Sequence, residues 1–323
     1  MKSITALALA AVVAGSLGGC TVFDTFISAG DEALLSTDLD SLVDDLSAVP
    51  GIDAVDYDLV IQGDMSYTVS VIAYATDLNE RGATDALDLV TSTFASGRFP
   101  EQKSLAFSVG PAGDGTSSSI TISNWLGFPT DVIGEEISYM FAVKEAAGTE
   151  LAMQLEAPDD QDIDYQRWLS ALTLPDSLDW SAIRSVPATG ADFVSWDFGG
   201  VSMGSSIIPS ELEPIAEQAA AIEGVTLAWN GEHESFDITL QPTNLEHGGD
   251  YSSLDEWPAL VKLVTTADSE YSGFSWLTVV NETSSATVDA GECDDSEANE
   301  GDLTLQKQLA AEGIALAAGY CVN

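Results

Sequence analysis

Basic residues are scarce in this chain: nine Lys and Arg stand against 53 Asp and Glu, with only two histidines, for a formal net charge of −44. A surface so poor in cations cannot neutralise phosphates, which excludes nucleic acid as a partner, and anionic lipid headgroups would repel it. Cysteine is almost as rare. There are three, and none forms a Cys-x-x-Cys pair, so a clustered thiolate metal site is excluded. Neither a phosphate-binding loop nor a dinucleotide fingerprint is present. The longest uncharged apolar stretch, residues 4–17, falls short of the roughly 20 residues that a membrane-spanning helix needs. Apolar residues, by contrast, are not lacking. They make up 45% of the chain, with seven Trp, eight Tyr and eleven Phe, enough to bury a core despite the charge. The acidity therefore reads first as a solvating surface suited to saline surroundings, and second as weak divalent-cation binding.

The first twenty residues carry an address. Lys2 precedes the apolar stretch, which ends in Leu17-Gly18-Gly19-Cys20. This resembles the signal peptide and lipobox of bacterial lipoproteins, in which the cysteine is acylated and becomes the first mature residue. The resemblance implies removal of residues 1–19, a lipidated tether over 20–30, and a body held outside the cytoplasm on a bacterial membrane by lipid on Cys20. With Lys2 removed, the mature charge is 8 − 53 = −45. The remaining cysteines, Cys293 and Cys321, form an even pair in an exported chain and read as a disulfide closing a loop of about 28 residues, worth roughly 3 kcal/mol.

Periodicity predicts an α+β fold of tandem helix-strand-strand repeats, with antiparallel sheets covered by helices. Leu35, Leu39, Leu42, Val43 and Leu46 give the first helix over about 31–48, followed by alternating strands at 52–61 and 67–75. A second helix carries Ala83, Leu87, Val90 and Phe94, before strands at 105–109 and 120–122. Alternation of Ile137, Tyr139, Phe141 and Val143 predicts a strand, paired with 151–155; a helix is expected over 162–173, and weaker strands at 181–186 and 191–198. Helices opening near Ser210 and Ser253, each with capping-box spacing, alternate with hairpins at 225–240 and 274–288, and a closing helix is expected over 301–319. Three units follow from this order: 31–125, 126–200 and 201–323. The junctions Val49-Pro-Gly-Ile52 and Ile222-Glu-Gly-Val225 share an apolar-x-Gly-apolar pattern that resembles the helix-to-hairpin turn of ferredoxin-like domains. The metal function of the carrier members does not follow, because their paired cysteines are absent.

Chemistry is thinly signalled. Gly200-Val-Ser202-Met-Gly204 has the G-x-S-x-G form of a hydrolase nucleophile elbow, and His233 and His247 are the only bases available to it. Asp160, Asp162 and Asp164 copy the first ligand positions of an EF-hand loop, but Tyr165 and Ala171 occupy the positions that need Gly and Glu. No cofactor is implied. Two classes remain: a non-enzymatic binding or envelope module for a protein, peptide or small molecule, or an extracytoplasmic serine hydrolase using Ser202. The anchor is directly testable. Cys20→Ala should move the protein from the membrane fraction to the soluble fraction, or block signal removal; unchanged membrane association with normal processing would reject the lipobox.

Overall fold

The computed structural model describes residues 35–61, 67–95, 103–112, 117–123, 130–156, 165–173, 178–191, 193–204, 206–242, 250–280, 285–291 and 298–319. Among these residues the fold is α+β, with helices and strand pairs alternating along the chain. In order these are α1 (35–47), β1 (Ala54–Ile61), β2 (Tyr67–Tyr74), α2 (Glu80–Ala95), β3 (Lys103–Gly110), β4 (Ser119–Ser123), α3 (Thr130–Ala147), β5 (Leu151–Glu156) and β6 (Gln166–Ala171). There follow α4 (Trp180–Ser185), β7 (Phe193–Asp197), β8 (Val201–Gly204), α5 (Glu213–Ala220), β9 (Val225–Asn230) and β10 (Ser235–Leu240). The last elements are α6 (Trp257–Glu270), β11 (Phe274–Val280), β12 (Ser285–Asp289), α7 (Glu300–Ala311) and β13 (Ala317–Ala318). No helix among the described residues is long and apolar enough to cross a membrane.

The chain divides into two compact units, residues 1–113 with 122–126, and 114–121 with 127–323. The segments 126–200 and 201–323 thus fall almost wholly within the second. In the first unit β1 and β2 pair antiparallel from Ala54↔Tyr74 to Ile61↔Tyr67, and β2 and β3 pair parallel. Tyr57, Val71 and Phe107 are cross-strand neighbours on one face, and the Tyr57 hydroxyl donates to Asp40 of α1 at 3.1 Å, which places α1 over that face. Leu39, Leu42 and Leu46 of α1 and Leu87, Val90 and Phe94 of α2 are all buried. On its other face β1 presents exposed Asp56 and Asp58, charges that deter edge-to-edge pairing.

In the second unit β5 to β13 lie side by side in chain order. Each hairpin is antiparallel, as the sequence predicts, including β9–β10. Strands joined through a helix are instead parallel: β6–β7, β8–β9 and β10–β11. A helix running back along the sheet returns the chain to the end from which the preceding strand started, so the next strand must run the same way. The sheet is mixed for that reason. Ile215, Ala219 and Ile222 are buried as expected.

Several segments differ from the sequence reading. Residues 137–143, expected as a strand, lie inside α3, where Ile133, Ile137, Met140, Val143 and Ala147 are buried at helical spacing. Tyr139 is buried too, so the helix is apolar on more than one side and satisfies both periods. The helix expected over 162–173 is strand β6, whose buried positions are Arg167 and Leu169, with Tyr165 buried just before it. A buried arginine in the middle hid this alternation. Residues 181–186 are not a strand but α4, opened by Asp179, whose carboxylate accepts from the Ala182 N–H at 2.9 Å. The closing helix stops at Ala311, because Gly313 turns left-handed (φ +90°). Its N–H bonds the Ala310 carbonyl and that of Ile314 the Leu309 carbonyl, the Schellman pattern. The capping boxes expected at Ser210 and Ser253 do not form; α5 and α6 carry proline in their first turns instead, and the capping box observed is Asn299 with Asp302 on α7.

Arg167 is the centre of the α3–β6 contact. It is 1% exposed and donates to Glu136 at 2.7 Å, and Tyr165 donates to the second Glu136 oxygen at 2.8 Å. The guanidinium also bonds the Thr189 hydroxyl and lies 4.2 Å from the Tyr139 ring centroid. Removing one member of such a pair leaves the other charge buried without compensation. Arg167→Met should lower the unfolding free energy by about 3–5 kcal/mol in urea titrations, and Glu136→Gln added to it should recover much of the loss.

Candidate functional site

The second unit contains a concave site at one end of strands β9, β10 and β11, with a volume of about 340 Å³. That lies at the small end of the roughly 300–1,000 Å³ usual for small-molecule pockets. Trp229 and Phe236 line it and are direct cross-strand partners at the β9–β10 turn. Both point to the buried face of the sheet, as alternation requires. Tyr271 stands edge-on to Phe236, with ring centroids 6.5 Å apart at 82°. The remaining wall is the turn Pro209–Leu212, where the Leu212 N–H bonds the Pro209 carbonyl at 3.0 Å. Arg184 fixes this segment from α4 by donating to the Ile208 carbonyl at 3.0 Å and pairing with Glu213.

Three carboxylates, Glu211, Glu234 and Glu270, line the site from three separate elements, and among the described residues no lysine or arginine lines it. Glu270 ends α6 and Tyr271 caps it, with the Tyr271 N–H on the Ala267 carbonyl at 3.2 Å. The negative end of the helix dipole therefore points here, and no basic residue occupies the last turn of α6 to offset it. The field is felt by the Tyr271 phenol, whose pKa is raised first by burial and then by the charges of Glu270 and Glu211.

Local backbone demands hold the walls together. The β9–β10 turn spans four residues, Gly231–Glu234, with the Asn230 side chain accepting from the Glu232 and His233 N–H groups at 3.0 and 3.3 Å. The Asn-Gly signal thus marks a hairpin, though one longer than the two-residue turn this dipeptide favours. Glu234 closes the turn with φ +50°, a conformation uncommon for a residue with a long side chain. Its carbonyl packs on Gly273, where a Cβ would collide with it, and the Gly273 carbonyl accepts from the Phe236 N–H at 2.8 Å. Glycine at 273 is what lets the α6–β11 connection close against the turn.

Ser202 lies elsewhere. It sits within β8 on the face opposite the buried one, with Asp197 and Ala228 as its cross-strand neighbours. Gly199 (φ +56°) and Gly200 (φ +87°) form the two-residue type I′ turn between β7 and β8, so the Gly-x-Ser-x-Gly string is a hairpin turn followed by a strand, not a strand-to-helix elbow. His233 is exposed in the β9–β10 turn. His247, Cys20, Cys293, Cys321, Asp160, Asp162 and Asp164 lie outside the described residues. Among the described residues no group of three or more His, Cys, Asp and Glu side chains is placed to hold a metal ion. No protein-family model, curated protein or solved structure matches the chain.

The pocket was not singled out in the sequence, because its residues span 209–273 and meet only through the sheet. Its one local trace is glutamate near aromatic residues at element ends, Glu234-Ser-Phe236 and Glu270-Tyr271.

Across the sheet from this site, Asp237 of β10 has its pKa raised to about 7, first by burial and then by the charge of Asp289. One of its carboxylate oxygens is buried without a hydrogen-bond partner in the protein. A carboxyl whose folded pKa exceeds its unfolded value destabilises the fold as it ionises, so this contribution to stability falls from about pH 4 to about pH 7 and stays low above. Asp237→Asn should therefore be more stable than the wild type above pH 7, with the difference shrinking towards zero near pH 4, when urea midpoints are compared across that range.

Proposed function

We propose that the protein is a non-enzymatic binding module, held outside the cytoplasm by lipid on Cys20, and that the pocket at the β9–β10–β11 end is where it takes a small ligand. The observation that carries this reading is the convergence of Glu211, Glu234 and Glu270 with Tyr271 on one concavity. Tyr271 is half-buried, and all three carboxylates are exposed. Each belongs to a different element, and the turn that carries Glu234 holds a conformation that costs free energy, a feature that concentrates at functional sites. The lipobox-like Leu17-Gly-Gly-Cys20 supports the tether. The mature charge of −45 would keep the body clear of anionic headgroups, leaving the acyl chains as the attachment.

The test is binding by the full mature protein in mild detergent. Cationic, neutral and anionic small solutes are titrated while amide resonances are followed by NMR. At least one charge class should give saturable shifts centred on Tyr271, Ser272 and Gly273. If no class does, the pocket is not a ligand site and the binding-module reading falls.

A further inference from the structure

The geometry points to a small organic ammonium ion as the ligand of this pocket, seated against Tyr271 with its charge offset by Glu211, Glu234 and Glu270. The inference rests on the binding-module reading and names its ligand class.

The charge of the site selects the sign. Three carboxylates and the C-terminal end of α6 face the cavity, and among the described residues no lysine or arginine lines it to compensate them. An anion would meet repulsion from each, whereas a cation is favoured by all four. The arrangement of the carboxylates then selects the size. No set of three ligating side chains among the described residues converges as a metal ion requires. A compact ion such as Ca²⁺ needs six to eight oxygens at about 2.3–2.6 Å, which carboxylates on separate walls do not supply. A diffuse cation of several heavy atoms is stabilised by charges ringing it at longer range and needs no coordination shell.

The walls select the chemistry. Trp229, Phe236 and Tyr271 line the cavity; Phe236 and Trp229 are buried behind it, and the half-buried Tyr271 is the ring that a ligand reaches, an aromatic surface that attracts ammonium groups while accommodating the methyl or methylene groups around the charge. A neutral apolar ligand would use the rings but gain nothing from the three exposed carboxylates, whereas a cation uses both. The volume of about 340 Å³ fits a small molecule. Alkylammonium groups with and without N–H donors share this chemistry, so both are tested.

Tetramethylammonium and n-butylammonium chlorides are titrated into the full mature protein against sodium chloride at equal ionic strength, with the Tyr271, Ser272 and Gly273 amides followed by NMR. The expected result is saturable shifts with at least one ammonium salt and none with sodium. Glu234→Gln and Glu270→Gln should each weaken binding several-fold. Tyr271→Leu should weaken it by roughly two- to fivefold, while Tyr271→Phe, which keeps the ring, should not. Glu234 and Glu270 are exposed, so their neutral substitutions should leave the fold intact, as an unchanged melting temperature would confirm. Sodium acting as well as the ammonium ions would overturn the inference, and so would binding insensitive to both glutamates. Saturable binding of a neutral or anionic solute at the same amides, with no ammonium response, would also overturn it while leaving the binding-module reading in place. The absence of any saturable binding would overturn both.

Discussion

The structure depends on one constraint: every hairpin is apolar on a single face. Val69, Val71 and Ala73 in β2, Leu151, Met153 and Leu155 in β5, and Phe236, Ile238 and Leu240 in β10 are all buried, while the residues between them are not. A hairpin with one apolar face cannot bury it alone, and a helix laid across it does so. Once a helix separates successive hairpins, the directions of the strands follow: antiparallel within a hairpin, parallel across a helix. The end of the array is closed by the same logic. The α7 carboxylate of Asp302 accepts from the Thr287 N–H at 2.7 Å, while the Gly319 N–H bonds the Thr287 carbonyl at 2.9 Å, so the backbone of β12 is occupied on its outer side.

Within this frame the Glu136–Arg167 pair is an exception to apolar burial, and its surroundings explain how it is tolerated. Both carboxylate oxygens of Glu136 accept, one from Arg167 and one from Tyr165, and the guanidinium lies against Tyr139 and Trp196. Aromatic contacts continue from Trp196 to Phe198 (5.9 Å between centroids) and on to Trp180 (5.7 Å), linking α3, β7 and α4. A buried ion pair of this kind adds less net stability than its short distances imply, since apolar residues of matched volume often serve as well.

The pocket shows what the ends of such a sheet can do that its middle cannot. Along a strand, residues are committed to the core or to the open face. Where β9 turns into β10 and α6 gives way to β11, residues outside the strands, Glu211, Glu234, Glu270 and Tyr271, come to line one concavity. The carboxylates gathered there stand out against an acidic surface only because aromatic rings line the same concavity and, among the described residues, no lysine or arginine does.

The αββ order, the antiparallel hairpins at 54–74 and 225–240 and the burial of Leu87, Val90, Phe94, Ile215, Ala219 and Ile222 were legible in the sequence, because period and turn residues act over a few positions. What misled was every place where tertiary surroundings outweighed local pattern. Arg167 is buried because Glu136 waits for it on another element, and α3 reads as a strand because it is covered on more than one side. Parallel pairing across the helices and the meeting of Glu211, Glu234, Glu270 and Tyr271 were likewise decided by the tertiary structure alone. A sequence states the period of each element and the charge it carries; which elements become neighbours is set by how the apolar faces are covered, a long-range outcome that no local pattern encodes.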